Sequence, residues 1–226
     1  MAGKVGFRIN TEMQRPDQEI LDAIGALETP AISDGMCNFN AVDPKIRPID
    51  PALKVVGPAV TLRVRPGDNL MLHKALGVAR PGDVLVIDTC GCDRYAMLGE
   101  LIATAAFEAA KLGGIVVDGG VRDVTEMRAK RFPVFAKFFS PCVGDKDGPG
   151  EINYPVCLGG VAVHPGDIIV GDVNGVVVVP RADAAAVIEN AKKKLAYEEK
   201  RRQSISAGVI VKPEIDETLK KKGVIE

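Results

Sequence analysis

The segment IVVDGGVRD at residues 115–123 constrains this chain more than any other. Ile115, Val116 and Val117 are β-branched and carry no polar residue between them, which reads as a buried strand. Asp118-Gly119-Gly120 supplies the turn beyond it, and Arg122-Asp123 follows at once. The Ala-rich stretch 98–112 before it reads as a helix stopped by Gly113-Gly114. Residues 123–130 after it read as another helix. A buried strand between two helices, with charged residues at its far end, points to a mixed α/β fold.

The rest of the chain extends that pattern. Residues 16–28 place Ile20, Leu21, Ile24 and Leu27 on one helical face. Thr29-Pro30 then predicts a helix start, with Thr29 as N-cap and Pro30 in the first turn. In 55–64 Val60, Leu62 and Val64 alternate with Thr61, Arg63 and Arg65, as in a strand. A short helix over 69–78 and a continuous apolar strand over 83–87 follow. A further strand is expected at 133–136. Residues 167–170 and 176–179 flank Asp172-Val173-Asn174-Gly175, a hairpin signal, and 182–206 read as a long charged helix. Pro-Gly-Asp turns begin at Pro66, Pro81 and Pro165, too irregularly spaced for a repeat. No linker divides the chain. A single domain over 1–226 is expected, with 182–226 as a C-terminal helical extension.

Composition removes several functions. The chain has 226 residues and a formal net charge of -1, without the basic excess of a nucleic-acid binder. No stretch is long and apolar enough for a membrane span, and the first residues lack a signal-peptide core. Five cysteines, an odd number, read as reduced thiols in a cytoplasmic protein. Cys90-Gly91-Cys92 has no second Cys/His pair at zinc-site spacing and reads as small residues near a strand end. The G-x-G-x-x-G, P-loop and G-x-S-x-G motifs are absent, and the histidines are His73 and His164 alone.

What remains is Gly99-Glu100-Leu101 together with Arg122-Asp123-Val124-Thr125-Glu126. With VVGPAVTLRV, PGDNLMLHKAL, Ser33-Asp34 and VVGDVNGVVVVPR, these residues resemble the RraA-like family over about residues 20–200. That family contains metal-dependent 4-hydroxy-4-methyl-2-oxoglutarate aldolases that also decarboxylate oxaloacetate. It also contains a branch of ribonuclease E regulators. The resemblance implies an α/β sandwich of the swivelling-domain kind, assembled as a trimer or a pair of trimers with sites between subunits. It implies Asp123 as ligand to Mg²⁺ or Mn²⁺, Arg122 and Glu100 as catalytic residues, and a glutamate near Glu198 or Glu199 reaching into a neighbour's site. The regulator branch usually lacks an acid directly after the arginine, so Asp123 favours an enzyme acting on a small 2-oxo acid. In the family the acidic residue lies one position closer to the arginine than Glu100 lies to Arg122. An extra residue in the turn near Leu112-Gly113-Gly114 would account for that.

Chemistry supplies its own reasons for these residue types. A 2-oxo acid chelates one hard cation through its carboxylate and keto oxygens, and Mg²⁺ needs few protein carboxylates beside its waters. Arg122 offers a planar, permanently charged fork to the keto oxygen or carboxylate. The amides of Gly99, Glu100 and Leu101 open a helix, where an anion is favoured. A base must take the distal hydroxyl proton, and no lysine lies within the motif to form a Schiff base. Other readings stay open. Asp123 with Glu126 also fits a helix N-cap and its capping-box partner. His73 fits a hydrogen-bonded core histidine as well as a proton carrier. The cluster 192–202 fits a solvated helix face.

Overall fold

A computed structural model describes residues 4–225. They form two compact units divided between Ala191 and Lys192. The first unit contains helices α1 (Gln18–Gly25), α2 (Thr29–Gly35), α3 (Leu70–Leu76), α4 (Glu100–Thr104) and α5 (Val124–Ala129). Its strands are β1 (Arg47–Pro48), β2 (Val55–Val64), β3 (Val84–Asp88), β4 (Ala96–Leu98), β5 (Gly114–Val121) and β6 (Val134–Phe139). They continue with β7 (Gly150–Ile152), β8 (Val156–Leu158), β9 (Val161–Val163), β10 (Ile168–Asp172) and β11 (Gly175–Val179).

The main sheet runs in the order β1-β6-β5-β3-β2-β10-β11, with β4 beside β5 and β7 beside β2. Strands β2, β3, β5 and β6 are mutually parallel, and the β10–β11 hairpin adds antiparallel to β2. Alternate side chains divide the core between the two faces. Leu85, Ile87, Ile115 and Val117 pack with Leu72, Ala103 and Met127 of α3, α4 and α5. Val84, Val86 and Val116 pack with Leu158 and Val163 of the β8–β9 ribbon and with Val178. Covering on both faces is why 84–87 is an unbroken apolar run. This is the β/β/α sandwich that the resemblance implies. Because the central strands are parallel, their carboxyl ends open on one side, where ligands gather in open α/β sheets.

Several local expectations are corrected. Thr29 is not a cap but lies within α2. The capping is done by buried Asp172, which accepts the Thr29 N–H at 2.9 Å and its hydroxyl at 2.8 Å. The helix expected over 98–112 is shorter. Leu98 belongs to β4, and α4 passes into a π turn at Ala105–Ala109. A π turn holds one residue more than an α turn, so the helix between Glu100 and Arg122 is not regular α throughout. Gly114 already pairs in β5, where a Cβ would lie 2.1 Å from Val55 Cγ2.

The three Pro-Gly-Asp turns share a construction. Gly67, Gly82 and Gly166 have positive φ, and Asp68, Asp83 and Asp167 are buried. Each carboxylate accepts backbone N–H groups, from residues such as Leu70, Arg80 and His164. Helix α6 (Ala184–Ser206) enters the second unit, which also holds α7 (Pro213–Lys221). There Arg201 donates to the carbonyls of Val209 and Ile210 at 2.9 and 2.6 Å. Among the described residues no helix is long and apolar enough to cross a membrane.

Candidate active site

Arg122 and Asp123 stand at the carboxyl end of β5. The Arg122 N–H donates to the carbonyl of Leu98 at 3.1 Å, tying this corner to the end of β4. Asp123 has φ 55, a left-handed conformation that Asp tolerates better than most residues. That kink turns the chain from β5 into α5. The Asp123 carboxylate accepts the Glu100 N–H at 3.2 Å and lies 3.5 Å from Arg122 Nε. Both side chains are about two-fifths exposed, at 41% and 42%. Gly99 provides the space. A Cβ on it would lie 2.2 Å from Asp123 Oδ2 and 3.0 Å from Arg122 Cγ. Its backbone is extended, with φ -137, so the need is for room rather than for unusual conformation.

The helix-cap reading of Asp123 does not describe this geometry. Helix α5 starts after Asp123 without a side-chain capping bond. The carboxylate is turned to the start of α4 instead, and Glu126 is left exposed on α5.

Glu100 divides its groups between two places. Its N–H meets Asp123, but its carboxylate accepts hydrogen bonds from Lys130 Nζ at 2.5 Å and Thr104 Oγ1 at 2.8 Å. The Lys130 bond, then the Thr104 bond, hold this carboxyl below the usual glutamate range. The structure therefore joins Gly99, Arg122, Asp123 and the Glu100 backbone, while the Glu100 carboxylate is drawn between α4 and α5. Leu101 projects into solvent, 80% exposed.

A cavity of about 150 Å³ brings Asn69, His73 and Lys146 to Gly99, Arg122 and Asp123. His73 is an exposed residue of α3, not a core histidine. Partial desolvation of its ring, then the nearby Lys146 charge, lowers its pKa below the ordinary histidine value. Asn69 is 5% exposed and donates its amide to the Met97 carbonyl at 3.2 Å. Its Oδ1 has no hydrogen-bond partner among the described residues. On the other side of Arg122 and Asp123 lies a second depression of about 350 Å³, with Phe139 and Ser140.

Sequence reasoning passed over Asn69, Lys130 and Lys146. Asn69 lies within the quoted PGDNLMLHKAL motif, and the turn construction at Asp68 was the available signal. Lys146 sits in an irregular loop, and Lys130 in an ordinary helical pattern, with no local signal for either.

The donor set suits a cation that keeps most of its water. Among the described residues no three His, Cys, Asp or Glu side chains gather as a metal cluster. Asp123 stands half-open beside the cavity that Gly99 leaves clear, which fits Mg²⁺ or Mn²⁺ held by one carboxylate and water. A softer ion seeking several nitrogen or sulfur ligands does not fit. Glu198 and Glu199 lie on α6 in the second unit. Glu198 is 4.0 Å from Arg202, and Glu199 is paired with the same arginine at 3.0 Å.

Residues 29–178 match the family described as RraA-like, Aldolase/RraA. A Halalkalibacterium halodurans protein provisionally named 4-hydroxy-4-methyl-2-oxoglutarate aldolase is 37% identical over 198 residues, covering 88% of this chain and 94% of its own. Streptomyces coelicolor RraAS2, whose structure is titled an unusual member of the RNase ES inhibitor RraA family, aligns with TM-score 0.76 and 29% identity. That match covers 84% of this chain and 99% of the other. The RNA-processing inhibitor RraA of Thermus thermophilis aligns with TM-score 0.62 and 31% identity, over 68% of this chain and 93% of the other. The chain belongs to the RraA-like family.

Proposed function

We propose that this protein is a divalent-metal-dependent lyase that releases pyruvate from 4-hydroxy-4-methyl-2-oxoglutarate and related 2-oxo acids, and that it also decarboxylates oxaloacetate. The observation that carries the reading is the corner in which Gly99 lets Asp123 and Arg122 meet at the mouth of one cavity. Asp123 would hold Mg²⁺ or Mn²⁺, and the ion, when bound, supplies a Lewis acid for the 2-oxo acid end of the substrate. Arg122 donates to the keto oxygen. As a water in the cavity takes the proton of the distal hydroxyl, that oxygen becomes the carbonyl of a departing oxo acid, the bond between the third and fourth carbons breaks, and its electrons move towards the 2-keto oxygen, the third carbon regaining a proton from water afterwards. The guanidinium then faces the charge of a pyruvate enolate. Loss of CO₂ from oxaloacetate leaves the same enolate, so one set of groups serves both reactions. The first-turn amides of α4, at Leu101 and Ile102, have no preceding turn to receive them and suit the substrate carboxylate. Glu100 contributes through its backbone hold on Asp123. Its carboxylate enters the reaction only by leaving Lys130.

The exposed apolar side chains of Leu101, Phe139 and Val143 stand around these depressions. Their exposure supports a site covered by a second copy, in a trimer or dimer of trimers, with Glu198 as the neighbour's contribution. A second reading, a non-catalytic regulator of a ribonuclease, draws on the names of the two solved relatives. Asp123 directly after Arg122 favours the enzyme. The test is pyruvate production, coupled to lactate dehydrogenase, from a series of 2-oxo acids with Mg²⁺ or Mn²⁺ and with chelator. Chelator-sensitive release supports the lyase, and its absence from every substrate favours the regulator.

A further inference from the structure

Helices α4 and α5 both begin at the proposed site, and one lysine joins them away from it. Helix α4 starts directly after Gly99, and α5 directly after Asp123. Lys130, the residue that closes α5, reaches across to α4 and the π turn that continues it. Its Nζ donates to Glu100 Oε1 at 2.5 Å and to Thr104 Oγ1 at 3.1 Å, and lies 3.6 Å from Glu108 Oε1. Residues spaced four apart overshoot one turn of α-helix and fall short of one turn of π-helix. The π turn therefore keeps Glu108 in line with Glu100 and Thr104, within reach of the same ammonium group. Phe107 packs beside them on Phe132, with ring centroids 4.9 Å apart.

This junction bears on the Glu100 N–H. That group meets Asp123 Oδ2 at 3.2 Å, the long end of the hydrogen-bond range, so a small separation of the first turns breaks the bond. Glu100 is thus held at both ends, by its backbone to Asp123 and by its carboxylate to Lys130 and Thr104. Lys130 lies outside the cavity that Arg122 and Asp123 line. Its ion pair with Glu100 is partly exposed, the lysine side chain by 39% and the glutamate by 22%. Such pairs add little to overall stability, so the effect of this one falls on local position.

We infer that Lys130 is a positioning residue for the metal ligand: through the Glu100 side chain it keeps the Glu100 N–H on Asp123, and so keeps the Asp123 carboxylate aimed at the cation. The inference rests on the proposed reading of Asp123 as a ligand to Mg²⁺ or Mn²⁺ and extends it to a residue outside the cavity. It fixes a direction. If Lys130 only withheld the Glu100 carboxylate from the cation, removing the lysine would tighten the site. Loss of a nearby positive charge would also favour a cation. A lysine that steadies Glu100 does the opposite, and its removal loosens the site.

The experiment measures Mn²⁺ binding to the purified protein through the electron paramagnetic resonance signal of the free ion, which needs no turnover. Asp123→Asn identifies the site as the binding it abolishes. Lys130→Met should weaken that binding about threefold or more, the size expected when one hydrogen bond to a charged group is loosened. Glu100→Met should weaken it too, and the double variant should be no weaker than Glu100→Met alone, since both act through one contact. Lys130→Arg, which still reaches both carboxylates, should bind nearly as wild type does. Thermal midpoints should move little, and Lys130→Ala is the second variant where Lys130→Met does not fold. Unchanged or tighter binding in the folded Lys130 variant, losses that add in the double variant, or a wild type without Asp123-dependent binding overturns the inference. The expected pattern in a protein that releases no pyruvate from any 2-oxo acid would refute the lyase and keep the positioning role. Chelator-sensitive pyruvate release with Mn²⁺ binding indifferent to Lys130 would do the reverse.

Discussion

The backbone N–H of Glu100 donates to Asp123 Oδ2 at 3.2 Å, so these two acids meet through a peptide group and not through a shared pair of carboxylates. The Glu100 side chain is turned instead to Lys130. Asp123 is thereby the acid presented beside the cavity, and Glu100 fixes its position.

Asp123→Asn keeps the side-chain shape and the tolerance for left-handed backbone while removing the charge. Pyruvate release at saturating Mg²⁺ should fall on the order of a hundredfold or more, the loss expected when a Lewis acid is no longer held. The thermal midpoint should move little, because α5 does not use this side chain as a cap. Near-normal turnover in the variant would show that the metal is held elsewhere.

Gly99→Ala separates space from stability. The backbone at residue 99 accepts alanine, but the added methyl falls on the side chains of Asp123 and Arg122. Those side chains can swing away, so unfolding free energy should change by no more than about 1–2 kcal/mol. Activity should drop far more, since both groups leave their positions. Retained activity would show that the Gly99 corner is not the reacting centre.

Arg122→Lys keeps the positive charge and loses the fork. Turnover should fall strongly for both aldol cleavage and oxaloacetate decarboxylation, and by a similar factor if both pass through one enolate. A loss confined to one reaction would mean separate stabilising groups.

The framework of this fold was legible because burial on both sheet faces writes itself as unbroken apolar runs, as at 84–87 and 115–117. The hairpin at 172–175 was legible through its turn residues. The start of α2 was not, because its cap comes from Asp172, distant in sequence, and local rules assign it to Thr29. The π turn was equally hidden, since Ala105 to Ala109 read as good α-helix formers. At the site, Arg122 and Asp123 stood out by their place after a buried strand. The resemblance added the roles. Lys130 and Lys146 were invisible because each acquires its partner or cavity through tertiary structure alone.

Acid should loosen the Lys146 loop through Asp68. Burial favours the protonated form of this group, but backbone N–H donors from Asp147, Leu70 and Gly148, with Arg65, outweigh it and lower its pKa. The stability it contributes is therefore complete above about pH 4 and is lost as pH falls through the lower folded-state value. Asp68→Asn should cost about 1–3 kcal/mol near neutral pH. Thermal midpoints followed against pH should converge for wild type and variant at the acid end. A constant gap across the range would contradict this role.

A site shared between copies can be read by mixing. Glu198→Ala or Glu199→Ala, whichever is inactive, is unfolded together with Arg122→Ala and refolded at equal amounts. In randomly assembled trimers about a quarter of the sites would pair an intact arginine with an intact neighbouring glutamate. Activity should recover towards about a quarter of wild type. Mixed trimers without recovered activity would remove the glutamate from a neighbour's site.

The central claim, metal-dependent pyruvate release, is tested most directly by supplying 4-hydroxy-4-methyl-2-oxoglutarate to the purified protein and following pyruvate through lactate dehydrogenase. Measurements are made with Mg²⁺, with Mn²⁺ and after chelation. Steady pyruvate production that stops with chelator and returns with added metal is the predicted result. No pyruvate under any metal condition, or production indifferent to chelation, would contradict the account.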